Sequence, residues 1–200
     1  MRSDFDPDRL GPGRFYRLLN SVVVPRPIAW VSSTSPAGVD NLAPHSFFTV
    51  ASVTPPIVQF TSVGEKDSVR NIRETGEFVV NFASEPLFLK INATATEFPR
   101  DISEFDAAEV EREPSKRVRP PRVAASPVAL ECVLHEVIPV GDCFLVLGRV
   151  VYAAVASDAL DGDHPNVHRL RPLARLGGDE WATVGPVREI ARIPYRDGSA

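Results

Sequence analysis

The sequence predicts a mainly β protein, an antiparallel barrel with a few short peripheral helices, and three observations carry that reading. Runs rich in Val, Ile and Phe, bounded by Pro, Gly or Asp, recur at residues 28–32, 57–62, 78–82, 128–140 and 144–156. The last two flank Gly141 and Asp142, a turn signal that joins them as an antiparallel hairpin. Helical signals are short and show no regular β-α-β alternation, which favours a closed antiparallel barrel over a doubly wound sheet.

Each element has its own justification. The opening MRSDFDPDRLGPGRF carries acidic residues and no apolar segment, which excludes a secretory signal, and residues 1–15 read as a peripheral tail. In NLAPHSFF, Pro44 removes a backbone donor and Asn41, His45 and Ser46 surround it, so this is an interrupted strand or a sheet edge. Asp67 is expected to cap a helix over 68–75, with Val69 and Ile72 facing inward and Gly76 ending it. A second helix starts near Ser84, with Pro86 in its first turn and Leu87, Leu89 and Ile91 as its apolar surface. Ser103 followed by Asp106 reads as the cap of a short third turn. The longest excursion from the barrel covers residues 98–125. In the run 128–140, Glu131, Val133 and His135 share one face and Leu130, Cys132 and Leu134 the other, the pattern of a half-buried strand. The partner run is apolar on both faces and belongs in the centre of the sheet, while residues 188–200 form a second peripheral tail.

Two hundred residues suit one domain, able to bury about 70% of the surface its unfolded chain exposes. A net charge of −4, from 22 Lys and Arg against 26 Asp and Glu, leaves no electrostatic footprint for nucleic acid. Lys116, Arg117, Arg119 and Arg122 are interrupted by Val118 and three prolines and read as a solvated, Pro-stiffened loop. No apolar run reaches membrane-spanning length, so a soluble, cytoplasmic protein is expected. Cys132 and Cys143 fall at different levels of the predicted hairpin, which argues for two buried thiols in a reducing compartment. His164 and His168 are four apart, but without a further Cys or Glu in a recognised arrangement no metal site is expected. Neither a dinucleotide-fold glycine motif, a P-loop nor a hydrolase elbow occurs.

Two places could carry chemistry. At the helix beginning near Ser68, free backbone N–H groups and the positive dipole end favour an anion, with Lys66 and the Ser68 hydroxyl at the same end. A phosphate monoester fits there; the plain alternative is a capped surface helix with a solvated Lys. The Pro44 edge offers free backbone groups of the kind an isoalloxazine ring needs around its pyrimidine and N5, the alternative being an ordinary edge strand with His45 as a hydrogen-bonded partner.

In wording and order, PRPIAWVSS, NLAPHSFF, TPPIVQF and GEKDSVRNIRETGEFVVN resemble the FMN-binding split-barrel, flavin reductase-like family, and the resemblance runs from about Tyr16 to Val184 through RLRPLARLGGDEWATVG. It implies an antiparallel split β-barrel of Greek-key type spanning residues 1–200 and a noncovalent FMN. By the same resemblance Asn41, Ala43, Pro44 and Ser46 line the flavin ring, with His45 beside its edge. Ser62, Val63, Gly64, Lys66, Asp67 and Ser68 surround the ribityl phosphate with Asn71 nearby, and Arg26 and Ser32 belong to the same pocket. Further implications are a homodimer with the flavin at its interface, hydride transfer from NAD(P)H to flavin N5, and a flavin-dependent monooxygenase as partner. No catalytic side chain is assigned; His45 is the candidate proton donor or ring-positioning group. An FMN-binding electron carrier or sensor without a pyridine-nucleotide site is the alternative. A pyridoxamine-phosphate-oxidase-like relative would need arginine clusters, and only Arg70 and Arg73 flank the helix start. Two departures from the family pattern bear on substrate preference: Ala156-Ser157-Asp158-Ala159 replaces a His-Val-Asp-Asp-like stretch, and Trp181 replaces a tyrosine.

Overall fold

A computed structural model describes residues 1–195, so the last five residues of the expected C-terminal tail lie outside the described residues. Helices α1 (Pro7–Leu10) and α2 (Pro12–Val22) precede strands β1 (Arg26–Pro27), β2 (Ala29–Thr34), β3 (Asp40–His45), β4 (Phe48–Ser52) and β5 (Ile57–Val63). Next come α3 (Asp67–Thr75), β6 (Glu77–Phe82), a 3-10 turn leading into α4 (Phe88–Ala93), α5 (Glu104–Ala107), and the small pair β7 (Arg112–Glu113) and β8 (Arg122–Val123). The long hairpin β9 (Val128–Val140) and β10 (Cys143–Val155) is followed by β11 (Leu160–Asp161), β12 (His164–Pro165), α6 (Val167–Leu170), β13 (Leu173–Arg175) and β14 (Trp181–Thr183).

Seven strands form one antiparallel sheet in the order β3-β2-β6-β9-β10-β5-β4. Its two edges, β3 and β4, are consecutive in the chain, and His45 at the end of β3 reaches across to pack on Phe60 of β5. The sheet therefore curls until its edges meet, giving a split barrel whose seam passes the Pro44 region. As expected, β10 is central, between β9 and β5.

The barrel interior is filled by Val31, Phe60, Phe78, Cys132 and Val146, and α3 closes it with Val69 and Ile72, three residues apart on one helical face. Burying each of the larger side chains contributes about 1.5–3 kcal/mol. Helix α3 stops at Gly76, whose φ of 75° lets its N–H return to the Ile72 carbonyl at 2.9 Å. Gly148 on β10 has a different reason for lacking a side chain: a Cβ there would sit 2.1 Å from the Phe78 ring. A second cluster outside the barrel joins Ile28, Trp30, Leu42, Ile91, Phe105 and Leu173. Within it the Trp30 indole N–H donates to Thr94 Oγ1 at 2.9 Å.

Several local expectations are corrected. The N-cap of α3 is Lys66, not Asp67, because the Asp67 carboxylate is drawn instead to Arg70 at 2.6 Å and Arg100 at 2.9 Å. Leu89 is 77% exposed, since the turn before α4 points Leu87, Phe88 and Ile91 inward and leaves Leu89 on the opposite side. Ser103 does cap α5 by position, but its hydroxyl accepts from Arg112, which also binds Asp106. The hairpin register sets Cys143 opposite Val140 and Cys132 opposite Val150, so both thiols are free. Burial pushes the Cys132 thiol up to about 12, whereas Cys143 is only partly buried.

In the basic loop Lys116, Arg117 and Arg119 are exposed as expected, and the largest correction is Arg122, which is buried. Glu131 is fully buried because residues 115–122 fold over its face of β9. The Glu131 carboxylate accepts from the Lys116 amide at 2.8 Å, the Arg117 amide at 2.6 Å and Arg122 Nε at 2.8 Å, with Arg122 Nη2 on the same oxygen. Burial works to raise this carboxyl, but the amides and the guanidinium outweigh it and hold it below its ordinary value.

Candidate functional site

A crevice of about 540 Å³ opens where β3, the end of β5 and the start of α3 converge. Asn41, Ala43, Pro44, His45 and Ser46 enter from β3 and its turn, Ser62 and Val63 from β5, and Lys66, Asp67 and Ser68 from the helix start. This placement follows from the chain path: the seam of the barrel exposes the Pro44 edge, and α3 begins immediately beyond β5.

Four anticipated residues stand apart. Gly64 belongs to the approach to the helix, where its N–H donates to the Asp142 carbonyl at 3.0 Å. Asn71, a turn further along α3, donates to Ser33 Oγ at 3.2 Å and lines a neighbouring chamber. Arg26 is committed to main-chain carbonyls, to Leu176 at 2.7 Å, to Val23 at 3.2 Å and to Asn20. Ser32 is buried, donating to the Pro121 carbonyl and accepting from Asn81 at 3.2 Å. Neither Arg26 nor Ser32 lines the crevice.

The polar floor is a small network. Ser68 Oγ accepts from Asn41 Nδ2 at 3.1 Å and lies 3.2 Å from His45 Nε2, and all three residues are buried. The Ser68 hydroxyl is thus engaged within the protein, where the sequence had suggested a free donor. His45 packs against Phe60 with ring centroids 4.5 Å apart. Burial, reinforced by the charge of Lys66, pushes the His45 imidazole down to about 4, so it is neutral near pH 7.

The helix start has no side-chain cap, leaving first-turn amides for an anion, and Lys66, Arg70 and Arg100 lie around it. Lys66 is held at 2.9 Å by Glu97, which is strongly exposed and easily displaced. Sequence reasoning missed the wall formed by residues 94–100, which includes Thr94, Phe98 and Arg100, and it missed Tyr16, Phe47 and Glu104. Tyr16 meets Phe47 edge-on at the rim, with centroids 6.4 Å apart. Glu104 accepts from the Leu42 amide at 2.9 Å, and burial, together with the Asp67 charge, raises its carboxyl despite that bond. Phe47 lies in NLAPHSFF beside the residues that were singled out, whereas Tyr16, Glu104 and the 94–100 wall share no motif with either the Pro44 edge or the helix start. His164 and His168 sit on separate elements, and no set of three or more His, Cys, Asp or Glu suited to a metal comes together among the described residues.

The neutral His45 makes acid stability a test of this geometry. From its ordinary value of 6.5 down to about 4, the unfolded chain takes up a proton that the folded chain refuses, so stability falls with pH through that window. The loss is expected to reach about 3 kcal/mol. Glu104, with its raised carboxyl, acts in the opposite sense, so His45→Gln isolates the histidine: urea unfolding at pH about 7 and about 4 should show a smaller acid loss in the variant. Equal losses in both proteins would remove His45 as the cause.

Comparison with known proteins places this architecture. Residues 21–174 match the family model described as flavin reductase like domain. An uncharacterized protein of Aquifex aeolicus is 40% identical over 169 residues, 82% of this chain and 86% of its own. Nitrilotriacetate monooxygenase component B from Bacillus cereus superposes with a TM-score of 0.91 at 33% identity, covering 95% of this chain and 99% of that one. The 2-nitrobenzoate 2-nitroreductase of Pseudomonas fluorescens gives 0.90 at 27% identity, covering 99% and 100%. The fold is that of the split-barrel flavin-binding proteins. This chain belongs to the flavin reductase-like family.

Proposed function

We propose that this protein binds FMN noncovalently in the crevice and acts as an NAD(P)H-dependent flavin reductase. One observation carries the reading: a single crevice joins an uncapped helix start, flanked by Lys66, Arg70 and Arg100, to an edge strand with Ala43 and Pro44. The first end suits a phosphate and the second a planar ring with polar edges, within the volume range of ligand sites. A bound flavin would supply the redox chemistry, taking a hydride from reduced pyridine nucleotide at N5. The chain's part is to bind and orient. The helix amides and Lys66 hold the phosphate, while Tyr16, Phe47 and Phe98 keep water from the crevice walls. A neutral His45 serves as a positioning group that fixes Ser68 and through it Asn41, in preference to a proton donor.

The test begins with the visible spectrum of the protein loaded with FMN. Anaerobic NADH or NADPH is expected to bleach the flavin band, and excess free FMN in air to sustain continued nucleotide oxidation. A band stable to both nucleotides would leave an electron carrier, and failure to bind FMN would end the reading.

The same reading includes a homodimer covering the crevice and a separate monooxygenase that consumes reduced flavin. Helix α2 buries no residue and leaves Tyr16, Leu19 and Val22 exposed, and Val50 on the edge strand β4 is 67% exposed. Light scattering is expected to give twice the monomer mass, and Val22→Asp to shift it toward the monomer. A wild-type monomer at every concentration would refute the dimer. Transfer to a monooxygenase is supported by the Bacillus cereus relative, and it requires turnover of free FMN beyond one equivalent.

A further inference from the structure

We propose that Arg26 supplies the counter-charge for the reduced state of the flavin, so that the protein holds the anionic reduced cofactor more tightly than the oxidised one. The inference rests on reading the crevice as the flavin site. Arg26 is buried on β1, and among the described residues no carboxylate pairs with it. Its guanidinium donates to main-chain carbonyls, of Leu176 at 2.7 Å, Val23 at 3.2 Å and Asn20, and its Nε is buried without a partner. The charged and titratable groups that face it are Tyr16 on α2 and Arg175, its cross-strand neighbour on β13, while β4, also packed against β1, carries no charged residue. Arg175 donates to the Gly178 carbonyl at 2.7 Å and stacks on Trp181, so it adds to the positive charge and does not cancel it. A guanidinium keeps its proton in such a place, and a buried cation without a counter-ion is costly.

The ring side of the crevice has no charge of its own. Ala43, Pro44 and Ser46 are uncharged and His45 is neutral near pH 7, while the carboxylates Asp67, Glu97 and Glu104 belong to the helix start and the stretch that faces it. The Arg26 guanidinium lies over the Phe47 ring, 5.9 Å from its centroid, and Phe47 and Tyr16 line the crevice. The cation therefore stands one side chain behind the wall on the ring side. The reduction proposed above carries a hydride from nicotinamide C4 to flavin N5: a C–H bond breaks, an N–H bond forms, the nucleotide loses two electrons and the flavin gains them. No proton enters in that step, so the ring system gains one negative charge, which a fixed cation behind an apolar wall attracts.

The experiment uses the full chain loaded with FMN and measures the midpoint potential by reductive titration against a reference dye, in the wild type, Arg26→Met and Arg26→Lys. That potential reports the ratio of affinities for reduced and oxidised flavin, which a general loosening of the crevice, weakening both forms alike, does not move. Arg26→Met is expected to lose about tenfold in the ratio, a fall of about 30 mV for a two-electron couple, and Arg26→Lys to keep the wild-type value. The wild type alone gives a second reading. At a pH where free FMN takes up two protons on reduction, the loaded protein should take up one, so that its midpoint falls with pH at half the slope. A Met variant with the wild-type potential, Met and Lys variants that fall equally, or a wild type that follows the slope of free FMN would each overturn the counter-charge while leaving the flavin site intact. Failure of the wild type to bind FMN would instead bring down the flavin reading itself.

Discussion

Glu131→Ala is expected to destabilise the fold by about 3–5 kcal/mol, the cost of leaving a buried charge without its partner. The side chains of Arg122 and Glu131 are 4% and 0% exposed, so solvent cannot take over when the carboxylate is removed. Two backbone amides, of Lys116 and Arg117, would lose their acceptor in the same step. The loop they belong to packs Val118 against Val79 and Ala129, so its release also uncovers apolar surface of the sheet. Urea unfolding measures the loss, and a drop below about 1 kcal/mol would show that the ion pair is not what holds the loop. The paired replacement Arg122→Met with Glu131→Leu is expected to recover much of the stability, since no charge then stays buried.

Replacing Lys66 and Ser68 together with Ala is expected to weaken FMN binding by about 2–4 kcal/mol. The two residues act differently. On the proposed reading Lys66 would exchange its exposed contact with Glu97 for the phosphate, so its removal would take away a charge-assisted bond of about 1.5–3 kcal/mol. Ser68 is held between Asn41 and His45, so its loss leaves both groups short of a partner and loosens the crevice floor. A double-mutant cycle by fluorescence titration separates the contributions. Undiminished affinity in the double variant would move the phosphate away from this helix.

What could be read from the residues alone follows a physical division. Strands such as 57–62 and 128–140 were legible because alternation and β-branched composition are local properties, and the structure places them at Ile57–Val63 and Val128–Val140. The crevice residues contributed by NLAPHS and GEKDS were legible for a similar reason, each motif being contiguous in the chain. Glu131 and Arg122 were not, because a period-two pattern assigns a charged residue to solvent unless a distant segment is known to cover it. The wall at 94–100 and the rim at Tyr16 also depend on tertiary approach, which no spacing within either segment encodes. Arg26 and Ser32 show the converse: the family resemblance implied a place in the pocket, yet the fold spends their polarity on carbonyls and on Asn81.

Tyr16 belongs at once to the crevice and to a helix that buries none of its own residues. In the proposed homodimer, the partner surface that masks that helix would also complete the vessel around the proposed flavin, and by mass action the two equilibria would reinforce each other. Retention of the yellow colour should accordingly fall off on dilution more steeply than a simple one-to-one isotherm allows, making the holoprotein's colour a readout of self-association.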